Sequence, residues 1–157
     1  MNYKTSLAFR KETLVKLLNA IVLLEDEIVQ ALYKDFKKPA FEAVLTETNY
    51  VITELKDTIK NLNKWAKPER VWPSILNFPS TDYILREPYG KVLIIAPWNY
   101  PFQLALCPLV SAVAAGNQVV LKPSELTPNT AAIIKKIIEK VFHVSHVKIE
   151  NGGVEVA

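Results

Sequence analysis

The stretch that decides the fold is residues 91–150, KVLIIAPWNYPFQLALCPLVSAVAAGNQVVLKPSELTPNTAAIIKKIIEKVFHVSHVKIE. Short apolar runs that predict strands alternate in it with longer, periodic runs that predict helices. The predicted strands are Lys91–Ala96, Gln118–Lys122 and Val147–Glu150, and the predicted helices are Phe102–Ala115 and a second one that opens at Thr127-Pro128. This β-α-β-α-β order implies parallel strands joined by right-handed crossovers, which is one half of a doubly wound sheet.

Several residues mark where these elements start and stop. Pro101 suits the first turn of the first helix, and Gly116 is placed to cap its end. Thr127 is the expected N-cap of the second helix. The first strand is continuously apolar after its lysine, which predicts burial on both faces.

Upstream, residues 1–67 predict two long amphipathic helices. Apolar residues three and four apart run along 5–37 and again along 41–66. Lys38-Pro39 and Lys67-Pro68 end these helices, because the residue before a proline is pushed out of the α region. No residue in this half suggests chemistry, so we expect a helical pair that packs on something else. After it, residues 68–80 predict an extended connector, and Thr81–Arg86 predicts a strand.

Composition excludes several classes of protein. Of 157 residues, 50% are hydrophobic and 22% are charged, which is typical of a globular domain and not of a disordered tail. The apolar runs are far shorter than the roughly 20 residues of a membrane span, so no membrane segment is expected. The net charge of +3 is spread along the chain without a basic stripe, which argues against a nucleic-acid partner. A single cysteine fits a reducing compartment, and we expect a cytoplasmic protein.

Chemistry is expected where the strands end, because ligands bind beyond the carboxyl ends of parallel strands. The glycine-rich dinucleotide fingerprint is absent after the first strand, where Ala96-Pro97-Trp98-Asn99 stands instead. Asn99 lies between two prolines that restrict its backbone, and a preorganised amide can donate to an oxyanion. The same residue type also caps helices well, so the spacing leaves the two roles open.

The second strand leads into Lys122-Pro123-Ser124-Glu125. A lysine and a carboxylate at this edge could bind ribose hydroxyls, but spacing alone favours a plain exposed ion pair, worth at most about 1 kcal/mol. Cys107 lies in an apolar helix without a partner histidine, which indicates a structural thiol and not a nucleophile. His143 and His146 have no third ligand nearby, so no metal site is expected.

Taken together, these motifs resemble the aldehyde dehydrogenase superfamily. The matching segments are Glu87–Val92, Ala96–Pro101, Ala114–Asn117 and Leu121–Pro128, and the combination of Pro-Trp-Asn with Lys-Pro-Ser-Glu at this spacing is the specific part. The N-terminal helices, with Asp35–Pro39, resemble the short-armed branch that includes fatty and class 3 aldehyde dehydrogenases.

The resemblance implies roles for individual residues. Asn99 would form the oxyanion hole with a backbone N–H, and Pro97 and Trp98 would line the nicotinamide half of the cofactor cleft. Lys122 and Glu125 would hold the adenosine ribose, and a carboxylate there favours NAD over NADP, although NADP stays possible. Ala96 and Ser124 complete the cofactor-binding set. The implied reaction is oxidation of an aldehyde to a carboxylic acid by a homodimeric enzyme.

The sequence also departs from the family. The catalytic cysteine, the general-base glutamate and the glycine-rich loop after the fourth strand have no counterpart here. We therefore expect an N-terminal fragment that is inactive alone, and the alternative is a non-catalytic nucleotide-binding or subunit-interaction module. The predicted division is 1–67 for the helices, 68–89 for the connector and oligomerisation-arm strand, and 90–157 for half of the cofactor domain, with no catalytic domain.

Overall fold

The first predicted helix is divided in two. The computed structural model describes residues 5–156, and in it α1 spans Leu7–Leu23 and α2 spans Glu25–Phe36. The single helix expected over 5–37 is therefore wrong at Leu24, whose φ of −105° and ψ of 13° leave the helical region. Acidic residues 25–27 fill the first turn of α2, where carboxylates stabilise a new helix N-terminus. Lys38-Pro39 follows the end of α2, as predicted.

The second predicted helix contains a wider turn. It consists of α3 (Ala40–Ala43), a π-helical turn (Val44–Thr48) and α4 (Asn49–Trp65). Single π turns inside α-helices are rare and frequently mark functional positions. This one carries Glu47 and Thr48, which are both fully buried. The Thr48 hydroxyl donates to Glu25 Oε1 at 2.7 Å, so polar contacts tie the turn to α2.

Residues 68–89, here called the arm, contain a small antiparallel ladder. Strands β1 (Glu69–Val71) and β2 (Asp82–Ile84) pair with Arg70 opposite Tyr83. The extended connector expected over 68–80 thus includes a strand, and the strand predicted at Thr81–Arg86 is present but shorter. Between them lies a 3₁₀ turn, Ile75–Asn77.

The predicted parallel sheet is confirmed. Its elements are β3 (Lys91–Ile95), α5 (Pro101–Ala115), β4 (Gln118–Lys122), α6 (Pro128–Val141) and β5 (Val147–Ile149). The strand order is β3-β4-β5 with both pairs parallel, and Val92, Val119 and Val147 lie side by side. Gly116 ends α5 with a φ of 92°, a left-handed value that glycine adopts without penalty. The chain closes on a 3₁₀ turn at Val154–Val156, and among the described residues no helix combines the length and apolar character needed to cross a bilayer.

Within residues 5–156, helices cover one face of the sheet. Val119, Leu121 and Val147 are buried against α5 and α6, and α1, α2 and α4 form a second helical layer outside these. On the other face, Leu93 and Ile95 are each 57% exposed. The prediction that β3 is buried on both faces is therefore wrong for the described residues, because both crossover helices lie on the same side.

This exposed face leads to a prediction about the chain expressed alone. Exposed apolar sheet surface and an unpaired strand edge promote association between copies, so we expect the isolated chain to self-associate. Leu93→Lys should lower the scattered light intensity and the apparent mass. Leu23→Lys, at a leucine that is 71% exposed at the end of α1, is the matched control and should change neither. A monodisperse unsubstituted monomer with a cooperative melt would contradict this expectation.

Candidate functional site

Two loops leave the sheet at the same edge. Ile95 and Lys122 are the last residues of adjacent parallel strands and are paired in register. The backbone N–H of Ala96 then donates to the carbonyl of Lys122 at 2.9 Å, which ties the start of one loop to the other strand. The loops Pro97–Tyr100 and Pro123–Thr127 therefore begin at the carboxyl edge of the sheet, where ligands of parallel α/β sheets bind.

Asn99 does not cap the helix that follows it. Tyr100 occupies the N-cap position of α5 and makes no side-chain capping bond. Asn99 is exposed, and within residues 5–156 its side chain has no hydrogen-bond partner. The capping alternative is thus wrong, and the amide can donate to a bound group. Beside it, Pro97 and Trp98 are exposed, whereas Ala96 is buried.

The amides at the start of α5 are satisfied by a residue from the helical layer. Glu47 Oε2 accepts from the backbone N–H of Phe102 at 3.1 Å and of Gln103 at 2.9 Å. Its other carboxylate oxygen, Oε1, accepts from Lys38 Nζ at 2.6 Å. The Lys38 ammonium also lies 4.5 Å from the centre of the Tyr100 ring, a cation–π contact.

Sequence reasoning missed this pair, although one signal was present. Glu47 falls on the stripe of α3 and α4 that faces the core, four residues after Ala43 and four before Val51, and both of these neighbours are fully buried. A carboxylate on such a stripe has to be paired when buried. The sequence does not show that its partners are Lys38 and two amides more than fifty residues away.

On the second loop, Lys122 and Glu125 form an ion pair with unequal burial. Lys122 Nζ donates to Glu125 Oε2 at 2.9 Å, and the two side chains are 5% and 41% exposed. The alternative of a plain exposed ion pair is therefore wrong, because the Lys122 side chain is buried. A hydrogen bond from its own backbone N–H, followed by that from Lys122, lowers the pKa of Glu125, so this carboxylate is charged at neutral pH. Ser124 is buried, and its hydroxyl accepts from Leu126 N at 3.3 Å.

The N-terminus of α6 is also capped from a distance. Asp35 accepts from the backbone N–H of Asn129 at 3.2 Å and of Thr130 at 2.7 Å. Thr127 takes the N-cap position as predicted, but its hydroxyl donates to the Ser124 carbonyl instead of accepting from the helix. Carboxylates therefore occupy the N-termini of both crossover helices, the positions at which simple dinucleotide folds bind phosphate.

The remaining candidates behave as structural residues. Burial, with a smaller contribution from Glu54, raises the pKa of the Cys107 thiol to about 11. His143 Nδ1 lies 2.8 Å from the Ser145 hydroxyl. No group of three metal-ligating side chains is found in the described part of the chain.

The sequence matches the model of the aldehyde dehydrogenase family over residues 3–149. The chain belongs to that family. It is similar to the 4,4'-diaponeurosporen-aldehyde dehydrogenase of Staphylococcus aureus, with 46% identity over 149 residues that cover 95% of this chain and 32% of the relative. A fatty aldehyde dehydrogenase of Saccharomyces cerevisiae is 43% identical over 136 residues, which cover 86% of this chain and 26% of that protein.

Structural similarity agrees with the sequence comparison. The substrate-bound structure of Staphylococcus aureus AldH superposes with a TM-score of 0.94 at 46% identity, covering 98% of this chain and 33% of that one. The observed architecture is therefore that of the N-terminal helices and half of the cofactor-binding sheet of an aldehyde dehydrogenase. The chain spans between about a quarter and a third of the length of the relatives it matches.

Proposed function

We propose that this chain supplies the oxyanion donor and part of the cofactor cleft of an NAD(P)-dependent enzyme that oxidises an aldehyde to a carboxylic acid. One observation carries the proposal. The Asn99 amide is exposed, does not cap α5, and lies at the same sheet edge as the Lys122–Glu125 pair, in a chain that belongs to this family. The resemblance to fatty and class 3 enzymes supports the short-armed branch.

Asn99 has the chemistry needed for an oxyanion donor. When a thiolate adds to an aldehyde, a C–S bond forms and the carbonyl electron pair moves to the oxygen. An amide N–H directed at that oxygen stabilises the negative charge in a site from which water is excluded. The thiolate has to come from outside these 157 residues, because their one cysteine is Cys107. The thioester forms only when the tetrahedral carbon loses a hydride, for which the bound cofactor would be the acceptor. Water then cleaves the thioester, which releases the acid and the thiol.

The donor set at the second loop fits the ribose of a nicotinamide dinucleotide. Lys122 provides an ammonium and Glu125 a charged carboxylate, which together match the donor and acceptor needs of two hydroxyls. Pro97 and Trp98 would contact the nicotinamide half, and Ala96 and Ser124, both buried, would contribute the backbone of the two loops. The bound cofactor supplies a hydride acceptor. The Glu125 carboxylate repels a 2′-phosphate, so we propose NAD as the preferred cofactor.

A chimera tests this function. This chain would replace its matching segment in the Staphylococcus aureus relative, and the reduction of NAD would be followed by absorbance with 4,4'-diaponeurosporen-aldehyde as substrate. We expect the chimera to oxidise the aldehyde. A folded chimera that binds the aldehyde but gives no turnover would refute the proposed function.

The cofactor preference depends on Glu125. In the chimera, Glu125→Gln removes the charge while it keeps the size of the side chain. We expect KM for NAD to rise by about tenfold or more, because a hydrogen bond to a charged group is worth roughly 1.5–3 kcal/mol. The ratio of kcat/KM for NADP to that for NAD should rise with it. Glu139→Gln, at an exposed glutamate of α6, is the control and should change neither value. An unchanged cofactor ratio would remove Glu125 from the ribose site.

The arm supports a further part of the proposal, a homodimer. Trp72, Ile75, Leu76 and Tyr89 are each at least 93% exposed, which is unusual for large apolar side chains. Covering them with a second copy would bury this surface. The cytoplasmic location stays a prediction.

A further inference from the structure

We infer that Glu47, together with Lys38, is a positioning residue that fixes the Asn99 amide for the reaction. The inference rests on the proposed function. It concerns two residues in the helical half, at which the sequence pattern indicates no chemistry.

The loop that carries Asn99 is held at both of its ends. Asn99 is separated from Phe102 only by Tyr100 and Pro101, and Glu47 holds the backbone amides of Phe102 and Gln103. Lys38 contacts the ring of Tyr100, the residue directly after Asn99. A single buried ion pair therefore holds the loop on the side where it enters α5. The other end of the loop is held by the Ala96–Lys122 hydrogen bond of the sheet.

The N-terminus of α5 could also have bound a phosphate of the cofactor. In general, the first turn of a helix has N–H groups without intrahelical partners and a partial positive charge, which together attract a phosphate. Glu47 is fully buried and supplies both a negative charge and an acceptor there. The start of α5 is thus occupied by the protein itself. It serves to anchor the loop and is not the place where the pyrophosphate binds.

A buried ion pair is weak evidence for a role in fold stability. Buried ion pairs are often replaced by apolar residues of similar size with little loss of stability, because desolvation offsets their attraction. The π turn at 44–48, which carries the fully buried Glu47, is itself an irregularity in an otherwise regular helix. The buried pair and the π turn are both explained if their role is to fix the position of the loop that carries Asn99.

The test uses the chimera with the double variant Lys38→Met/Glu47→Met. The variant removes both charges together, so no unpaired buried charge is left. The backbone amides of Phe102 and Gln103 lose their Glu47 acceptor. We expect kcat to fall by about 10²-fold, the cost of a misplacement of about 1 Å, while KM for NAD stays unchanged. Glu27→Gln breaks the exposed pair with Lys136 and is the control, with no expected change in kcat.

A double-mutant cycle separates positioning from general damage. If Glu47 acts through Asn99, Lys38→Met/Glu47→Met lowers kcat in the original background but not in an Asn99→Ala background. Equal losses in both backgrounds would overturn the inference. If the double variant does not fold, as judged by its melt, Glu47→Gln goes through the same cycle.

One readout does not depend on activity. Hydrogen exchange of the backbone amides in residues 97–103 should be faster in the double variant than in the unsubstituted chimera, since the Glu47 acceptor is lost. If the unsubstituted chimera is inactive, the proposed function fails. The exchange then tests the structural part of the inference, that Glu47 holds the loop: faster exchange would support it, and unchanged exchange would overturn it.

Discussion

Asn99→Ala is expected to lower kcat of the chimera by about 10²–10³-fold, or roughly 2.7–4 kcal/mol, the typical cost of removing one oxyanion donor. The amide is exposed at the carboxyl edge of the sheet and makes no hydrogen bond within residues 5–156. Its loss therefore removes an interaction that forms only when negative charge develops on the substrate oxygen. Initial rates at saturating NAD and aldehyde give kcat directly.

The affinity for NAD and the melting temperature should change little in the same variant, because Asn99 does not cap α5. Asn117→Ala is the matched control. The Asn117 side chain accepts from Gly90 N at 2.9 Å and donates to the Ala112 carbonyl, so its removal should lower the melting temperature. Its effect on kcat should be small by comparison. A variant of Asn99 with normal turnover and a lowered melting temperature would show that the residue is structural.

The sheet could be predicted from the sequence because its signals are local. Each strand is a short apolar run, each helix has a periodic stripe, and Pro101 and Gly116 mark the two ends of α5. The order β3-β4-β5 then follows from the handedness of two successive crossovers. The same locality explains why Lys122 and Asn99 could be placed at one edge. The division into residues 1–67, 68–89 and 90–157 stays a prediction.

The features that could not be predicted from the sequence depend on residues far apart in the chain. Asp35 looks like an ordinary solvated acid, and the position of Glu47 on the core-facing stripe does not reveal its partners. The two carboxylates nevertheless cap α6 and α5 across 95 and 55 positions of chain. Strand β1 was missed because three residues carry almost no periodic signal, and its partner lies beyond two prolines. The exposure of Leu93 and Ile95 depends on which side the crossover helices cover, which an apolar run does not reveal.

These capping contacts also explain how a fold without a glycine-rich first loop can form a site. In a simple dinucleotide fold, the first helix N-terminus binds phosphate, and glycines let the backbone approach it. Here Glu47 occupies that N-terminus, and the loop carries Pro97, Trp98 and Asn99 instead. We propose that this loop positions side chains and does not bind phosphate. In the proposed function, Glu47 and Lys38 of the helical half would therefore support the site without contributing a group to the chemistry.

Cys107→Ala should leave kcat of the chimera unchanged, and the 157-residue chain alone should give no turnover of an aldehyde with NAD. With a pKa raised to about 11, only about one thiol in 10⁴ is ionised at pH 7, and the thiolate is the reactive form. Cys107, in α5, is also partly buried against the hydrophobic core. Covalent aldehyde oxidation needs an activated nucleophile, which this helix does not provide. The measurement is NADH formation at high protein concentration, with the active chimera as positive control. Turnover by the chain alone that Cys107→Ala abolishes would show that the nucleophile lies within this chain.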